Sequence, residues 1–261
     1  MTSLLIVNDD GAESPMLPAM AEKLSRLGTV RIAVPETEQS WQGKAMTRFG
    51  KIHARSLPGM GVEAYAVSGT PSDCVNLAVH HLLPEPPDWI VSGINIGVNA
   101  GTGFIINSGT VGAALEGALQ LVPSVAFSTY LPPEWFGEWL EHRTLKHPGA
   151  RRVIDTTTTR MAAMMAQLIA NGLPPEAMIL NINFPGEVNG DTPVRWVPAQ
   201  FSRYGKVFRP DGDGFVHAAK IELHAEDDGD SDRTVLQAGA ISVTPLSLKG
   251  LTVGNMREIP L

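Results

Sequence analysis

The chain has 261 residues, and 20 Lys and Arg against 27 Asp and Glu give it a formal net charge of −7. This charge disfavours nonspecific binding to nucleic acid, so we expect no nucleic-acid duplex as a partner. The content of 43% hydrophobic and 18% charged residues is typical of a globular protein with a large core and excludes a disordered, collagen-like or coiled-coil chain.

Cysteine content and apolar stretches bear on the compartment of the protein. Cys74 is the only cysteine, so neither an intrachain disulfide nor a multi-cysteine zinc site is possible. The apolar run at residues 4–7 follows no basic residue and precedes no cleavage site, and it predicts a strand rather than a signal peptide. The small-apolar stretch 109–128 contains Glu116 and Pro123, which makes it a poor membrane span. We therefore expect a cytoplasmic protein without a membrane partner.

Strands and helices alternate through the first half of the chain. Short apolar runs predict buried strands, and apolar residues at helical spacing predict helices. This alternation is typical of a parallel sheet covered by helices on both faces, with ligands at the carboxyl ends of the strands. We therefore predict an α/β fold with a Rossmann-like parallel-sheet core. The predicted strands are 4–7, 30–34, 62–67, 89–91 and 124–127, the helices are 15–27, 69–83 and 107–121, and a glycine-spaced loop covers 92–103.

The second half of the chain is less regular. A helix is predicted at 155–171, with Asp155 at its start, and a strand at 178–183. Short β-like runs between 194 and 244 predict a C-terminal β-hairpin or arm extension, which we expect to be swapped between subunits. The chain then forms a single domain, with about 1–185 and 235–250 as the α/β core and about 190–234 and the C-terminal tail as an oligomerisation extension.

Two further segments invite a functional interpretation. The segment 131–150 is compatible with a lid or with an oligomer contact, and the sequence does not choose between them. The acidic run 227–232 resembles a calcium-binding loop, but Arg233 and Gly239 stand where glycine and a bidentate glutamate are needed. We expect a solvated acidic turn there. No P-loop, zinc-protease or serine-hydrolase motif is present.

Two adjacent carboxylates follow the first predicted strand, in the sequence Asn8-Asp9-Asp10-Gly11. Like charges this close need a cation or a proton. Carboxylate oxygens are preferred ligands of hard divalent cations such as Mg²⁺ and Mn²⁺. The alternative is a solvated turn whose Asn and Asp side chains cap the next helix.

Polar residues after other strands point to the same edge of the sheet. Ser40 follows the second strand and Asn95 follows the fourth, and their oxygens could complete a cation shell beside the two carboxylates. For Ser40 alone, a local turn hydrogen bond is the alternative. Ser108, Gly109 and Thr110 open a helix, whose first amides and dipole favour an anion, although Ser108 is also an ordinary helix cap. A metal beside a phosphate site predicts metal-assisted phosphoryl hydrolysis.

At these residues the sequence resembles the survival protein SurE family of metal-dependent 5'/3'-nucleotidases. The motifs occur in order along nearly the whole chain. The matching stretches are 8–11, 33–40 with Thr47, 69–75, 91–95 with Gly97 and Asn99, 108–114 with Glu116 and Gly117, and 241–246.

This resemblance implies a function and a set of site residues. It implies hydrolysis of nucleoside 5'- and 3'-monophosphates by metal-activated water, with one Mg²⁺ or Mn²⁺ per subunit of a homodimer or homotetramer. The metal ligands would be Asp9, Asp10, Ser40 and Asn95; the phosphate-binding residues would be Asn8, Asn99, Ser108, Gly109 and Thr110; and the catalytic residues would be Asp9, Asp10 and Asn99.

The sequence departs from the family pattern beside the expected site. Trp41 stands where a small residue is usual, and Ile96 replaces a frequent arginine. Both could reshape or dry the pocket, and they keep open the alternative of a nucleotide-binding regulatory or scaffold protein with little turnover. A phosphatase that works through an aspartyl-phosphate is disfavoured because it needs an Asp-x-Asp spacing, whereas Asp9 and Asp10 are adjacent.

Overall fold

The computed structural model describes residues 1–218, 223–225 and 229–249. The elements in chain order are β1 (Ser3–Val7), α1 (Met16–Leu24), β2 (Thr29–Pro35), β3 (Ala54–Ser56), β4 (Glu63–Val67), α2 (Pro71–Leu77) with a π-helical turn (Ala78–Leu82), β5 (Trp89–Ile96), α3 (Thr102–Asn107), α4 (Gly109–Leu119), β6 (Ser124–Thr129), α5 (Pro133–His142), α6 (Pro148–Asn171), β7 (Ile179–Phe184), β8 (Val194–Trp196), β9 (Ser202–Tyr204), β10 (Phe208–Asp211), β11 (Gly214–His217), β12 (Leu223–Ala225), α7 (Asp232–Gln237) and β13 (Ile241–Leu246).

Among the described residues the main sheet has nine strands, in the order β3-β4-β2-β1-β5-β6-β7-β13-β8. The strands from β4 to β7 in this order are parallel, while β3 and β13 run antiparallel to their neighbours β4 and β7. The chain leaves β1 toward β2 on one side and later returns to β5 on its other side. Ligands of open α/β sheets bind at the carboxyl ends of strands at such a switch point, so the fold directs attention to the ends of β1 and β5.

Both faces of the sheet are covered, which confirms the predicted α/β class. Leu4 and Ile6 of β1 pack in one cluster with side chains of α1 and α6. Leu5 and Val7, which point to the opposite face, pack in a second cluster with side chains of α2 and α4. Alternate residues of a strand point to opposite faces, and this is why the run at residues 4–7 is apolar throughout.

Strand β5 extends beyond its predicted end, through residues that the sequence predicted as loop. Its side chains are buried along its whole length, and its pairing with β6 shifts register between Ser92 and Asn95. Gly93 has φ +112°, and a Cβ there would collide with the carbonyl oxygen of Phe127. The irregularity therefore requires glycine, and it places Asn95 at the carboxyl end of a buried strand.

Helix α6 begins at Pro148 rather than at the predicted Asp155, which lies inside the helix. The hydroxyls of Thr157 and Thr158 donate to carbonyl oxygens four residues earlier, at 2.5 and 2.7 Å. Such bonds accommodate a threonine run within a helix, so the run does not mark a helix start. Neither α6 nor any other helix among the described residues is long and apolar enough to cross a membrane.

The C-terminal region contains the predicted hairpin, formed by β10 and β11. Its exchange between subunits stays a prediction. Strand β8, which the sequence analysis placed in the extension, instead pairs with β13 at the edge of the main sheet. The expected solvated acidic turn is wrong at its last residue, because Asp232 is buried and begins α7. Residues 227 and 228 of that run and the C-terminal tail from residue 250 lie outside the described part of the chain.

Candidate active site

The two carboxylates after β1 are buried and are held by different elements. Asp9 and Asp10 are 3% and 4% exposed. Asp9 accepts hydrogen bonds from the hydroxyl and the backbone N–H of Thr110, at 2.6 and 3.0 Å. Asp10 accepts one from the backbone N–H of Ile96, at 3.0 Å. The start of α4 and the end of β5 therefore orient the pair.

Burial of two neighbouring carboxylates has an electrostatic consequence. Burial raises the pKa of Asp9 to about 6. Burial, together with the charge of Asp9, also holds the pKa of Asp10 well above its ordinary value. In the described part of the chain neither carboxylate forms an ion pair. The pair needs a proton or a cation, and its oxygens suit a hard divalent ion.

Asn8 shapes the loop rather than bordering the cavity described below. Its side chain accepts from the backbone N–H of Gly11 at 3.1 Å and donates to the carbonyl of Gly11 at 3.0 Å. Gly11 has φ +84°, and a Cβ there would lie 2.8 Å from the carbonyl carbon of Thr37. Only glycine fits this close approach, which keeps the acidic loop against the loop after β2.

The loop after β2 brings Ser40 to the acidic pair. The backbone N–H of Gln39 donates to the carbonyl of Asp9 at 2.7 Å, and that of Ser40 donates to the carboxylate of Glu38 at 2.7 Å. From the end of β5, the side-chain nitrogen of Asn95 donates to the carbonyl of Gly97 at 2.7 Å. Its side-chain oxygen is then the end that remains for a ligand.

A cavity of about 630 Å³ opens at this edge of the sheet. Of the predicted site residues, Asp9, Ser40, Asn95, Asn99 and Ser108 line it. This volume falls within the range that is usual for small-molecule sites. The other predicted site residues, Asn8, Asp10, Gly109 and Thr110, are buried and do not appear in its wall.

Backbone N–H groups at the start of α4 donate hydrogen bonds to side chains of the protein itself. Ser108 caps the helix and accepts from the backbone N–H of Val111 at 3.1 Å, while the N–H of Thr110 donates to Asp9. A Cβ on Gly109 would lie 2.8 Å from the Cβ of Asp9, so glycine permits the close approach. The helix terminus therefore stabilises the Asp9 carboxylate, and Ser108 is the residue of this turn that borders the cavity.

Two asparagines of β7 hold Asn99 and were not among the predicted site residues. The backbone N–H of Asn99 donates to the side-chain oxygen of Asn183 at 2.8 Å. The side chain of Asn181 donates to the carbonyl of Asn99 at 2.8 Å, and the side chain of Asn99 donates to the hydroxyl of Ser128 at 2.8 Å. Alternating asparagines in a fully buried central strand are the sequence signal that could have identified them.

The segment 131–150 contributes a wall of the cavity. Leu131, Phe136 and Leu140 line it, the last two from α5. Arg143, which ends α5, donates to the carboxylate of Glu38 at 3.3 Å. The sequence left a lid and an oligomer contact open; the structure shows that the segment lines the cavity, and both alternatives stay predictions.

A second cavity and the set of available metal ligands both bear on where a substrate or a cation could bind. A second cavity of about 550 Å³, beside the C-terminal end of α6, is lined by mostly apolar residues and by no carboxylate, so it offers no comparable chemistry. Among the described residues no three His, Cys, Asp or Glu side chains converge in a metal-binding group. A cation at the first cavity would therefore depend on the hydroxyl of Ser40 and the amide of Asn95 as well as on the two carboxylates.

The fold and the site define a doubly wound α/β protein with an acidic ligand site at the carboxyl edge of its sheet. Residues 4–206 match the family model described as Survival protein SurE, and the chain belongs to this family. The 5'-nucleotidase SurE of Methanococcoides burtonii is 34% identical over 260 residues, which cover 98% of this chain and 97% of that protein. The 5'-nucleotidase SurE of Thermofilum pendens is 33% identical over 255 residues, covering 95% and 91%.

A solved structure agrees with this assignment. The crystal structure of the SurE protein from Aquifex aeolicus is similar to this chain with a TM-score of 0.73 and 26% sequence identity, and the similarity covers 98% of both chains. The family resemblance inferred from the motifs is thereby confirmed, and the fold extends over nearly the whole chain.

Proposed function

We propose that this protein hydrolyses nucleoside 5'- and 3'-monophosphates to nucleoside and phosphate, with one bound Mg²⁺ or Mn²⁺ per subunit. The main support is the buried pair Asp9 and Asp10, which has no cationic side chain paired with it in the described part of the chain. The pair adjoins a cavity of about 630 Å³. Relatives that are 33% and 34% identical are named 5'-nucleotidases.

The donor set suits the metal that this function requires. Asp9, Asp10, Ser40 and Asn95 offer carboxylate, hydroxyl and amide oxygens, the ligands that Mg²⁺ and Mn²⁺ prefer. A divalent ion held there would lower the pKa of a bound water and polarise the phosphoryl group. Burial raises the pKa values of Asp9 and Asp10, so a cation would compete with a proton for this pair.

The remaining polar residues of the cavity would orient the phosphate. Asn99 and Ser108 line the cavity, and a side-chain amide and a hydroxyl are suitable donors to phosphoryl oxygens. Asn181 and Asn183 fix the backbone of Asn99, which reduces the rearrangement needed on binding. We include Gly109 and Thr110 in this site because they place Asp9 beside Ser108.

The apolar wall formed by α5 and by Leu131, which precedes it, would exclude water from the bound substrate. Leu131, Phe136 and Leu140 face the same cavity as Asp9. Removal of water strengthens electrostatic interactions inside a site.

We also propose that the protein is a homodimer or homotetramer, which light scattering of the purified chain would test.

A second candidate function is a nucleotide-binding protein with little turnover. The observation in its favour is that Trp41 and Ile96 both border the cavity, where a bulky and an apolar side chain reduce the room and the polarity. Both functions require binding of a nucleotide, but only the first includes release of phosphate.

Release of inorganic phosphate separates these functions. The assay would use AMP, 3'-AMP and ribose 5-phosphate with Mg²⁺, Mn²⁺ or EDTA. We expect metal-dependent release by the wild type and loss of at least a hundredfold in Asp9→Asn, because one anionic ligand is removed. Asp191→Asn, at an exposed loop position, is the matched control. Release that survives in Asp9→Asn would contradict the site, and nucleotide binding without release from any substrate would favour the second function.

A further inference from the structure

Aromatic side chains from separate parts of the chain meet at one side of the cavity. Trp41, in the loop after β2, has ring centroids 6.0 Å from Phe104, 5.4 Å from Tyr204 and 4.9 Å from His217. Trp41, Phe104 and His217 also line the cavity, and we call these three residues the aromatic wall. Tyr204 supports Trp41 without bordering the cavity.

The aromatic wall shares its cavity with the acidic pair. Asp9, Ser40 and Asn99 border the same space, so one ligand can contact the polar residues and the rings together. Trp41 directly follows the candidate metal ligand Ser40. The distance from this candidate ligand to the indole of Trp41 is therefore set by one short loop.

The rings of the wall are not fully packed. Trp41 and Phe104 are half-buried, and His217, in the hairpin strand β11, is exposed. Phe136 of α5 borders the cavity as well. A cavity bounded by partly exposed aromatic rings favours a flat, apolar-faced group, because stacking buries a face of such a group against the rings.

The backbone at Trp41 supports a role for its ring. Trp41 has φ +62°, a left-handed conformation that is unusual for a bulky residue. Gly43, two residues on, donates from its N–H to the carbonyl of Asn107 at 2.9 Å, which ties this loop to the end of α3. The loop thus holds the indole at the cavity in a conformation that glycine or asparagine would adopt more easily.

We propose that the aromatic wall binds the base of the substrate by stacking, and that Trp41 determines the preference for nucleoside monophosphates over phosphomonoesters without a base. This inference rests on the proposed function, since the phosphate must lie at the acidic pair. Nucleobases are planar, and every base presents a π-face to an aromatic side chain. A wall of this kind distinguishes AMP from ribose 5-phosphate, which differ only in the base.

The test compares kcat/KM for AMP with kcat/KM for ribose 5-phosphate. Trp41→Gly removes the ring and suits the left-handed backbone, whereas Trp41→Phe keeps a ring. We expect the ratio to fall about tenfold or more in Trp41→Gly, since base stacking is commonly worth that much, and to stay near the wild-type value in Trp41→Phe. His217→Ala, in the exposed hairpin, should lower the ratio in the same direction. Trp196→Gly, in β8 away from this cavity, is the control.

A binding measurement separates failure of this inference from failure of the proposed function. Calorimetric titration of adenosine in EDTA needs neither metal nor turnover. We expect binding to the wild type and to Trp41→Phe, and weaker binding to Trp41→Gly and His217→Ala. An unchanged substrate ratio, or adenosine binding that is equal in all four proteins, would overturn the role of the wall. If the wild type hydrolyses neither substrate but binds adenosine through Trp41, the wall stands and the hydrolase proposal fails.

Discussion

Thr110 donates two hydrogen bonds to the carboxylate of Asp9, one from its hydroxyl at 2.6 Å and one from its backbone N–H at 3.0 Å. The residues are 101 positions apart, and the contact joins the end of β1 to the first turn of α4. These bonds fix the orientation of the carboxylate and lower its pKa, although burial raises the pKa by more. The predicted anion site of α4 is therefore partly filled by the protein's own aspartate.

Thr110→Val should weaken metal binding without disturbing the fold. The substitution removes the hydroxyl donor and leaves the backbone N–H in place, so Asp9 loses one of its two orienting bonds. Loss of a bond to a metal ligand commonly costs ten- to a hundredfold in affinity, and we expect about tenfold for Mn²⁺ by isothermal calorimetry. Thr110→Ser keeps the hydroxyl and is the control. Equal affinity in the valine and serine variants would contradict this role.

Gly109→Ala should disturb the site because there is no room beside Asp9 for the added methyl group. A Cβ at this position would lie 2.8 Å from the Cβ of Asp9, closer than carbon atoms normally approach, so Asp9 would have to move. We expect at least a tenfold loss in kcat/KM with AMP, consistent with the sensitivity of catalysis to small displacements. Gly137→Ala, in α5 with open space around the new methyl group, should keep activity and stabilise the helix by about 0.5–1 kcal/mol.

Asn183→Ala should lower turnover because Asn183 holds Asn99 in position. The backbone N–H of Asn99 donates to Asn183 in a buried setting, and an unpaired buried donor costs about 1–3 kcal/mol. We expect the midpoint of urea unfolding to fall and kcat to fall more than KM rises, because Asn99 loses its fixed position. Asn171→Ala, at the exposed end of α6, is the control. A loss of stability with unchanged kcat would assign Asn183 a structural role only.

Much of the fold could be predicted from local patterns. The strands β1, β2 and β6 are largely apolar runs, which is typical of a sheet covered on both faces. Strand β4 could be predicted from its alternation of polar and apolar residues. The end of β5 was missed because Gly93 and Asn95 resemble a loop, although burial and pairing with β6 make them strand. The start of α6 was missed because the threonine run after Asp155 resembles a helix start, while the helix begins seven residues earlier, at Pro148.

The candidate site could be predicted in part, from residues that follow strands and from residues that open a helix. Asp9 and Asp10 come at the end of β1, and parallel strands bring such residues to one edge. The burial of Asp232, which is not a site residue, was missed for a physical reason: its carboxylate accepts hydrogen bonds from the backbone N–H groups of Gly101 and Gln200, at 2.7 and 3.0 Å. Partners this distant in sequence leave no local pattern, and an acidic run is usually solvated.

Ionisation of the acidic pair predicts a pH-dependent stability of the metal-free protein. Burial raises the pKa of Asp9 from 3.8 to about 6, so the folded state binds a proton more tightly than the unfolded state does. This contribution to stability is complete below pH 3.8 and is lost as the pH rises through about 6. Asp9→Asn has no such proton to lose. In EDTA the stability of Asp9→Asn relative to that of the wild type should therefore increase from pH 4.5 to pH 7.5, and its relative Tm should rise accordingly.

Thermal unfolding in EDTA at pH 4.5 and 7.5 measures this difference, with Asp191→Asn as the control for loss of a carboxylate. Excess Mn²⁺ at pH 7.5 should raise the Tm of the wild type and leave that of Asp9→Asn nearly unchanged, because a bound cation replaces the proton as the partner of the buried charge. If the difference in Tm between wild type and Asp9→Asn is the same at both pH values, ionisation of Asp9 does not destabilise the folded protein. The cation would then have no buried charge to compensate at this position, and the case for Asp9 as its ligand would fall.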